Sequence, residues 1–410
     1  MAQRAKQSSP KGGSSSRGRK RRQSPELAGG AGFTFADEAA VIYLSALLAE
    51  STAPGLDPYT ATHVALEQRE FGEPLDDLVV DGATSAGVKC RLSLQAKSSL
   101  TISAARTNTD FREIIRDAWL TFKKADFRKG IDRFGAVTAN VALQSSRALL
   151  SLCEMARSSP TSSSFEKRFA AAANESIRTV RDTIETLLAE VASPDTPDIH
   201  AFLRHFVLIR LDVLHEGATS LEAWNAARLA LAPETSDQAA SLIDHLRVLA
   251  RQGAGRSAGF ERADLMVALA PRFSLVGSHR LRPALEQLRT LASRAAEEIE
   301  DTVGGVRVAR PTLNNKLGEE LSRNRFVQIH GLPGTGKSVL LRRSVEDAAA
   351  SGAAIFLKSD RLEGIGWAGY AARQGVGQLP LSDLLIEIGA RGNRPFSSMD
   401  LIELIVGIVP

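Results

Sequence analysis

The sequence predicts an α/β protein built from three folded parts, and three observations lead to this class. Short β-branched runs alternate with amphipathic helical segments up to about residue 145, helical periodicity dominates from 146 to 305, and a strand-loop-helix pattern begins near 306. At 410 residues the chain is also too long for one ordinary domain. We therefore expect an α/β domain over 28–145, a helical connector over 146–305 and part of a second α/β domain over 306–410.

The first 27 residues form a basic tail. Residues 1–25 contain eight Lys or Arg and no acidic residue, although the whole chain carries a formal net charge of only +4. A Ser, Gly and Lys/Arg segment buries too little apolar area to fold, so we expect disorder over 1–27. The sequence leaves open whether this tail only solubilises the chain or holds nucleic acid through phosphate contacts.

Residues 28–145 show alternating strand and helix signals. The alternation of apolar and polar residues predicts strands, and apolar residues at core spacing predict helices. The expected order is a helix over Asp37–Glu50, strands over Thr62–Arg69, Leu75–Asp81 and Lys89–Lys97, a helix over Asp110–Ala125 and a strand over Ala136–Ala142.

The connector is predicted from a period near 3.6 in its apolar residues. Ile177, Val180, Ile184 and Leu187 show this period, and breakers such as Ser193-Pro194 divide the segment into several helices. The apolar stripes are read as core faces without a chemical role.

The third part contains a phosphate-binding loop. Residues 331–338 read GLPGTGKS, which matches G-x-x-x-x-G-K-[ST] at every specified position, between an expected strand at Phe326–His330 and an expected helix at Val339–Ala350. Glycines let backbone N–H groups close around phosphate, the lysine neutralises charge and the hydroxyl holds Mg²⁺. The expected nucleoside triphosphate (ATP) contacts are Gly331, Leu332, Pro333, Gly334, Thr335, Gly336, Lys337 and Ser338, with Ser338 as the Mg²⁺ ligand.

The nucleotide-binding part is expected to be incomplete. Such a domain needs a later strand that ends in an acidic residue and positions Mg²⁺ or water. No apolar run ending in Asp follows Ser338, and the C-terminal run Leu401–Val409 contains only Glu403. Nucleotide binding is therefore predicted, whereas ATP hydrolysis is left open. A motor-type ATPase or helicase would need that strand and an arginine finger, and the sequence shows neither.

A second constellation lies in the N-terminal domain. Alternate residues of a strand share one face, so Gln95 and Lys97 point one way while Leu94 and Ala96 point into the core. Asp77, at the start of the preceding strand, can meet them. A carboxylate and an amide oxygen can hold Mg²⁺, and a lysine can orient water and screen phosphate charge.

This arrangement resembles the PD-(D/E)xK nuclease superfamily in its variant with Gln in place of the acid. It is closest to the endonuclease domain of CD-NTase-associated bacterial antiviral effectors, in which a Gly-Gly segment runs into an acidic helix, as GGAGFTFADE does at 29–38. The resemblance covers about residues 29–145 and implies a restriction-endonuclease-like fold that cuts double-stranded DNA with Mg²⁺. It implies metal positions at Asp77 and Gln95 and a catalytic Lys97, with Glu38 completing the site and Glu67 as a weaker candidate.

The C-terminal part is similar to the N-terminal segment of STAND NTPases, through Arg310-Pro311, the helix Leu313–Leu321 and the run into the phosphate-binding loop. The two resemblances together imply a Mg²⁺-dependent DNA endonuclease controlled by nucleotide binding, acting in antiphage defence and forming homo-oligomers when complete. The alternative is a nucleotide-gated signalling or DNA-binding scaffold whose nuclease fold is inactive.

Composition limits the location of the protein. No run of eighteen apolar residues could span a bilayer, and the basic N-terminus lacks the apolar run of a secretory signal. Cys90 and Cys153 have no partner at metal-ligand spacing, so we expect buried, inert thiols in a reducing compartment. We expect a cytoplasmic protein without a membrane partner.

Overall fold

The computed structural model describes residues 34–192, 198–212, 217–324, 327–332, 334–351, 355–356, 366–377 and 379–390. The predicted basic tail and the C-terminal apolar run lie outside these residues, as does Pro333 of the phosphate-binding loop.

A six-stranded mixed sheet organises the first two thirds of the chain. Its strands are β1 Thr60–Leu66, β2 Leu78–Ala83, β3 Lys89–Leu100, β4 Arg133–Val141, β5 Phe206–Arg210 and β6 Gly259–Glu261. They lie in the order β5-β4-β3-β2-β1-β6. The pairs β1–β2, β2–β3 and β1–β6 are antiparallel, whereas β3–β4 and β4–β5 are parallel. The predicted α/β class is confirmed.

Two layers of helices enclose this sheet. In chain order the helices are α1 Phe35–Leu48, α2 Thr109–Phe122, α3 Leu143–Arg157, α4 Ser162–Ala172, α5 Glu175–Ala192, α6 Ile199–His205, α7 Ala218–Ala230, α8 Ala239–Ala254 and α9 Arg262–Leu269. Short 3₁₀ turns follow β1 at Gln68–Phe71 and α7 at Pro233–Gln238. The helices α1, α7, α8 and α9 share one apolar core with the sheet, and α2 to α6 share the other.

Strand alternation assigns each side chain to one of the two cores. Leu92 and Leu94 of β3 are buried in the core that contains α1, whereas Phe134 and Ala136 of β4 are buried in the core that contains α2. Gln95 is out of phase with Leu94 and pairs with Ala136 across the parallel ladder, so it belongs to the α2 side of the sheet.

Two strands of the six-stranded sheet come from the segment predicted to be a helical connector. β5 adds to the sheet beside β4, and β6 adds beside β1. The run Phe-Val-Leu-Ile-Arg of β5 directly follows α6, and a short apolar run cannot be told from a buried helical segment by periodicity. With only three residues, β6 carries too few for any alternation to be visible. The sheet therefore extends beyond the boundary predicted at residue 145.

The C-terminal part is mainly helical in the described residues. Its elements are α10 Arg282–Glu297, β7 Thr302–Val303, β8 Val306–Arg307, α11 Pro311–Arg323, α12 Lys337–Ser351, α13 Trp367–Arg373 and α14 Leu381–Ala390. The predicted helix after the phosphate-binding loop is confirmed by α12. In contrast, the predicted strand at Phe326–His330 is not formed over 327–330, and residues 325–326 lie outside the described chain. A strand needs a hydrogen-bonded neighbour, and Ile355 and Phe356, described residues of a later apolar run, are not in a strand either.

Cys90 and Cys153 are free and buried, and they lie in different cores. Desolvation raises the pKa of the Cys90 thiol to about 11 and that of Cys153 to about 12, which agrees with the predicted inert thiols. In the described part of the chain, no helix combines the length and apolarity that crossing a membrane requires.

Candidate functional site

Asp77 lies at the point where the chain enters β2. Leu78 pairs with Leu94, so Asp77 faces Gln95 when the ladder is continued by one position. The Oδ2 atom of Asp77 accepts a hydrogen bond from the backbone N–H of Ala96 at 2.7 Å. This bond holds the carboxylate against β3 between Gln95 and Lys97, as the sequence predicted.

Three carboxylates meet at this point. One oxygen from each of Glu67, Asp76 and Asp77 lies within 4.8 Å of the others. Glu67 follows β1 in the left-handed backbone region, at φ 52° and ψ 52°. Its N–H donates to the carbonyl of Asp77 at 3.4 Å, and the N–H of Gln68 donates to the carbonyl of Asp76 at 2.9 Å. Positive φ is costly for a non-glycine residue, and these two bonds to the start of β2 stabilise the Glu67 turn.

Burial and mutual repulsion leave Asp77 partly protonated near neutral pH. Desolvation raises the pKa of Asp77 to about 7, with further upward contributions from Glu67 and Asp76. The hydrogen bond from Ala96 and the Lys97 ammonium oppose this shift. The site therefore holds more carboxylate than it can ionise without a cation.

Asp76 is compensated by a protein cation instead. The Arg69 guanidinium lies 2.9 Å from the Asp76 carboxylate and 3.1 Å from that of Asp117 on α2. Both carboxylates are buried, and Arg69 pairs with both, so a buried charge is not left alone. The Asp76 carboxylate is thus paired with Arg69. The other negative charges of the three-carboxylate group come from Glu67 and Asp77.

Gln95, opposite Asp77 in the continued ladder, carries a neutral oxygen. Its Oε1 atom is buried and has no hydrogen-bond partner among the described residues. Buried polar atoms normally have a partner, so an orphaned oxygen beside carboxylates indicates a missing ligand. Two carboxylates and an amide oxygen form the hard donor set that Mg²⁺ takes in proteins. The residues therefore fit the predicted metal.

Lys97 lies two residues beyond Gln95 on the same side of β3. Its Nζ atom is 3.2 Å from Oδ1 of Asp110, in the first turn of α2, and the Lys97 side chain is 27% exposed. The ammonium group is therefore close to the carboxylates yet accessible from solvent. Asp110 and Asp76 were not predicted as site residues. Two features of the sequence could have indicated them: an acid in the first turn of the predicted helix, and the doubled Asp before β2.

The structure does not bring Glu38 into this group. Glu38 lies on α1, and its Oε1 accepts a hydrogen bond from Nε of Arg247 on α8 at 2.7 Å. The helix α1 packs on the sheet face that carries Leu94, whereas Gln95 belongs to the opposite face. Glu67, the weaker candidate in the sequence, is the glutamate that the carboxylate group contains.

The phosphate-binding loop leads directly into α12. The Nζ atom of Lys337 donates to the carbonyl oxygens of Gly331 at 2.6 Å and Leu332 at 3.0 Å. Thr335 closes the loop with a hydroxyl bond to the Leu332 carbonyl at 2.8 Å. Gly334 has φ +78°, a backbone conformation that favours glycine. The lysine therefore bonds to its own loop in the absence of phosphate.

A cavity of about 420 Å³ lies against this loop. Gly336, Lys337 and Ser338 line one side, and Asp301 and Arg310 line another. The Arg310 guanidinium contacts the Thr335 carbonyl and lies where a Cβ on residue 336 would be. Residues 334–338 of the predicted nucleotide site thus border one cavity, next to both an acidic and a basic side chain, whereas Gly331 and Leu332 do not line it.

Solved structures similar to this chain are Cap4 SAVED/CARF-domain containing receptors. The receptor of Acinetobacter baumannii with the cyclic trinucleotide 2'3'3'-cAAA shows 16% identity and a TM-score of 0.33, over 58% of this chain and 45% of that one. The receptor of Moraxella osloensis shows 17% identity and a TM-score of 0.33, over 58% of this chain and 46% of that one. The chain thus spans less than half the length of these structures. No family model and no curated protein matches it.

Proposed function

We propose that the chain is a metal-dependent DNA endonuclease whose site is formed by Asp77, Glu67, Gln95 and Lys97. The observation that carries this proposal is the position of Asp77. Its partly buried carboxylate is bonded to β3 between Gln95 and Lys97 and lies in a group with Glu67 and Asp76.

The chemistry follows from the donor set. A bound Mg²⁺ supplies positive charge to a phosphodiester and lowers the pKa of water. Asp77 and Glu67 offer the negative charge that holds such an ion, and the orphaned oxygen of Gln95 completes the same side. Lys97 lies at the edge of the site, where its Nζ atom can leave Asp110 and contact a DNA phosphate.

Control by nucleotide and the role in antiphage defence are part of the same proposal. Both rest on the sequence resemblances to CD-NTase-associated effectors and STAND NTPases. The cavity along Gly336, Lys337 and Ser338 supports ATP binding, since a phosphate would offer Lys337 a charged acceptor in place of its own loop carbonyls. Homo-oligomerisation on DNA belongs to the proposal on the same basis.

The test is cleavage of supercoiled plasmid by the full chain with Mg²⁺ and ATP. We expect Lys97→Ala to lower the rate by at least about 100-fold, the range for a positioned acid-base group. Lys89→Ala is the matched control, because Lys89 is exposed at the opposite end of the same strand. Wild-type cutting by Lys97→Ala, with both variants folded by circular dichroism, excludes this site.

A second candidate is a DNA-binding scaffold with an inactive nuclease fold. It is favoured by the neutral side chain of Gln95 and by the raised pKa of Asp77, which both leave less negative charge for a cation. Gln95→Glu separates the two functions. An active enzyme cuts DNA before and after this change, whereas a scaffold binds DNA without producing ends and gains cutting only with the added carboxylate.

A further inference from the structure

Glu387 on α14 is a charged residue in an almost fully buried place. Its side chain is 3% exposed, and Oε2 lies 2.9 Å from the guanidinium of Arg262. Its other oxygen accepts a hydrogen bond from the backbone N–H of Ser278 at 2.6 Å. A buried carboxylate is stable only with such partners, so α14 is tied at this position to residues outside the C-terminal part.

The same partners also tie Glu50, which follows α1. The Ser278 hydroxyl donates to Oε1 of Glu50 at 2.6 Å, and the N–H of Arg280 donates to Oε2 at 3.2 Å. Arg262 also donates through Nε to the carbonyl of Leu48 at 3.1 Å. We call Glu387, Arg262, Ser278 and Glu50 the Glu387 latch. A cavity of about 400 Å³ lies beside these four residues, so apolar packing is incomplete at this edge. The polar bonds of the latch therefore contribute much of the attachment of α14 there.

On one side, the latch leads to the Glu67 turn of the nuclease site. Arg262 follows β6 directly, and β6 pairs with β1. Just before β6, the carbonyl of Ala258 accepts the N–H of Leu66 at 3.0 Å, and the carbonyl of Ser257 accepts Nε2 of Gln68 at 2.9 Å. Leu66 and Gln68, the residues on both sides of Glu67, are thus hydrogen-bonded to the segment just before β6, and β6 leads directly into Arg262.

On the other side, the latch leads to the phosphate-binding loop. Leu384 of α14 packs in one core with Leu285 and Leu288 of α10. Further along the same helix, Ala292 and neighbouring alanines pack with Leu341 of α12, the helix that the loop enters. A packed route therefore joins Lys337 at the start of α12 to Glu387.

We propose that the Glu387 latch transmits the state of the nucleotide site to the Glu67 turn, so that nucleotide binding sets the geometry of the metal-binding carboxylates. This inference rests on the proposed function for its biological meaning. In physical terms, the two sites are coupled through a contiguous set of contacts. Such coupling requires that these contacts differ between the nucleotide-bound and nucleotide-free states.

The test is hydrogen exchange of the full chain, measured by mass spectrometry with and without a non-hydrolysable ATP analogue and Mg²⁺. In the wild type, we expect the analogue to change exchange in peptides covering 64–68 and 257–262. Glu387→Gln removes the charge at nearly constant volume. We expect it to speed exchange of those peptides by at least about tenfold and to abolish their response to nucleotide. Glu346→Gln is the matched control, because Glu346 pairs with Arg342 at 2.8 Å on the exposed surface of α12.

Three outcomes overturn the proposal. The first is no nucleotide response in the wild type, and the second is a response that persists in Glu387→Gln. The third is faster exchange in Glu387→Gln that does not reach the peptides covering 64–68. If Glu387→Gln does not fold, Arg262→Lys replaces it, and the same changes in exchange are expected. This variant keeps the positive charge but loses the forked donors of arginine. Exchange is measured without DNA, so failure to cut DNA refutes the endonuclease and leaves this result standing.

Discussion

The two candidate sites of this chain are held in place by different means. Around Asp77, the polar groups are bonded to strands of a central sheet, and the carboxylate is fixed by the N–H of Ala96. Around Lys337, the polar groups belong to one loop, and the ammonium bonds to carbonyls a few residues away. The first arrangement brings negative charges together, as the raised pKa of Asp77 shows.

This difference teaches how each site would respond to its ligand. A rigid group of carboxylates gains stability when a cation arrives, because the repulsion is present beforehand. A loop that satisfies itself must exchange its internal bonds for bonds to phosphate. We therefore expect the sheet site to be sensitive to pH and metal, and the loop site to be sensitive mainly to substitutions in the loop. Four experiments can break or sharpen this contrast.

The largest expected effect is on cleavage by Asp77→Asn. The amide still accepts the Ala96 N–H but loses the charge that holds Mg²⁺, so we expect the plasmid-cutting rate to fall by at least about 100-fold. Asp126→Asn is the control, since Asp126 is a well exposed acid of the same domain, with a side chain 63% exposed. Equal rates for Asp77→Asn and the wild type would remove Asp77 from the site.

The next effect concerns stability against pH without metal. The pKa of Asp77 is raised from 3.8 to about 7 in the folded chain, so the folded state keeps a proton that the unfolded state loses. The resulting stability is complete below about pH 4 and is lost as pH rises through about 7, by up to about 4 kcal/mol. Urea unfolding at pH 5 and pH 8 measures this loss. We expect the free energy of unfolding of Asp77→Asn to change less over this pH range, and Mg²⁺ to restore the stability of the wild type at pH 8. Parallel plots of this free energy against pH for the two proteins would contradict a raised pKa at Asp77.

A smaller effect is expected for Lys337→Ala at the loop site. Losing a charged contact to phosphate costs about 1.5–3 kcal/mol, so affinity for an ATP analogue should fall about 10- to 100-fold in calorimetry. The melting temperature without nucleotide should stay unchanged, because the hydrogen bonds that Lys337 makes within the described residues go to its own loop. Lys316→Ala, an exposed lysine of α11, should change neither quantity. Destabilisation of the nucleotide-free Lys337→Ala chain would show that this lysine has a structural role.

The smallest effect is expected for Gly334→Ala. Among the described residues, and apart from its chain neighbours, no atom lies within 4 Å of the added Cβ, so the change acts through the backbone at φ +78°. A left-handed conformation costs a non-glycine residue about 1–2 kcal/mol, which predicts a loss of roughly five- to thirtyfold in nucleotide affinity. Gly318→Ala, on a helix with equally open space, is the control. Unchanged affinity in Gly334→Ala would mean that the backbone cost at residue 334 is the same with and without nucleotide.

The first strands and helices could be predicted because their burial follows a simple period. A helix expected over Asp37–Glu50 is found at Phe35–Leu48, and a strand expected over Ala136–Ala142 is found at Arg133–Val141. The shared face of Gln95 and Lys97 follows from the same alternation. In contrast, β5 and β6 are recognised only by their partners in the sheet, since neither is long enough to show a pattern of its own.

The carboxylate group was only partly predictable. Asp77 precedes a visible strand, so its position followed from the register. Glu67 depends on a left-handed turn that tertiary hydrogen bonds stabilise, and no local signal marks it. Glu38 was placed by resemblance on α1, but that helix is buried on nearly all sides, so its periodicity does not say which face meets which layer.

The late position of β6 has a consequence for synthesis on the ribosome. Ala65 pairs with Gly259, so the β1 edge of the sheet stays uncovered until the chain has been translated past that residue. Pairings so distant in sequence form slowly, and an open edge invites association with other chains. The same delay leaves the Glu67 turn without the neighbouring hydrogen bonds to Ser257 and Ala258 while the chain is nascent, so the three carboxylates would reach their arrangement only after residue 258 has been translated.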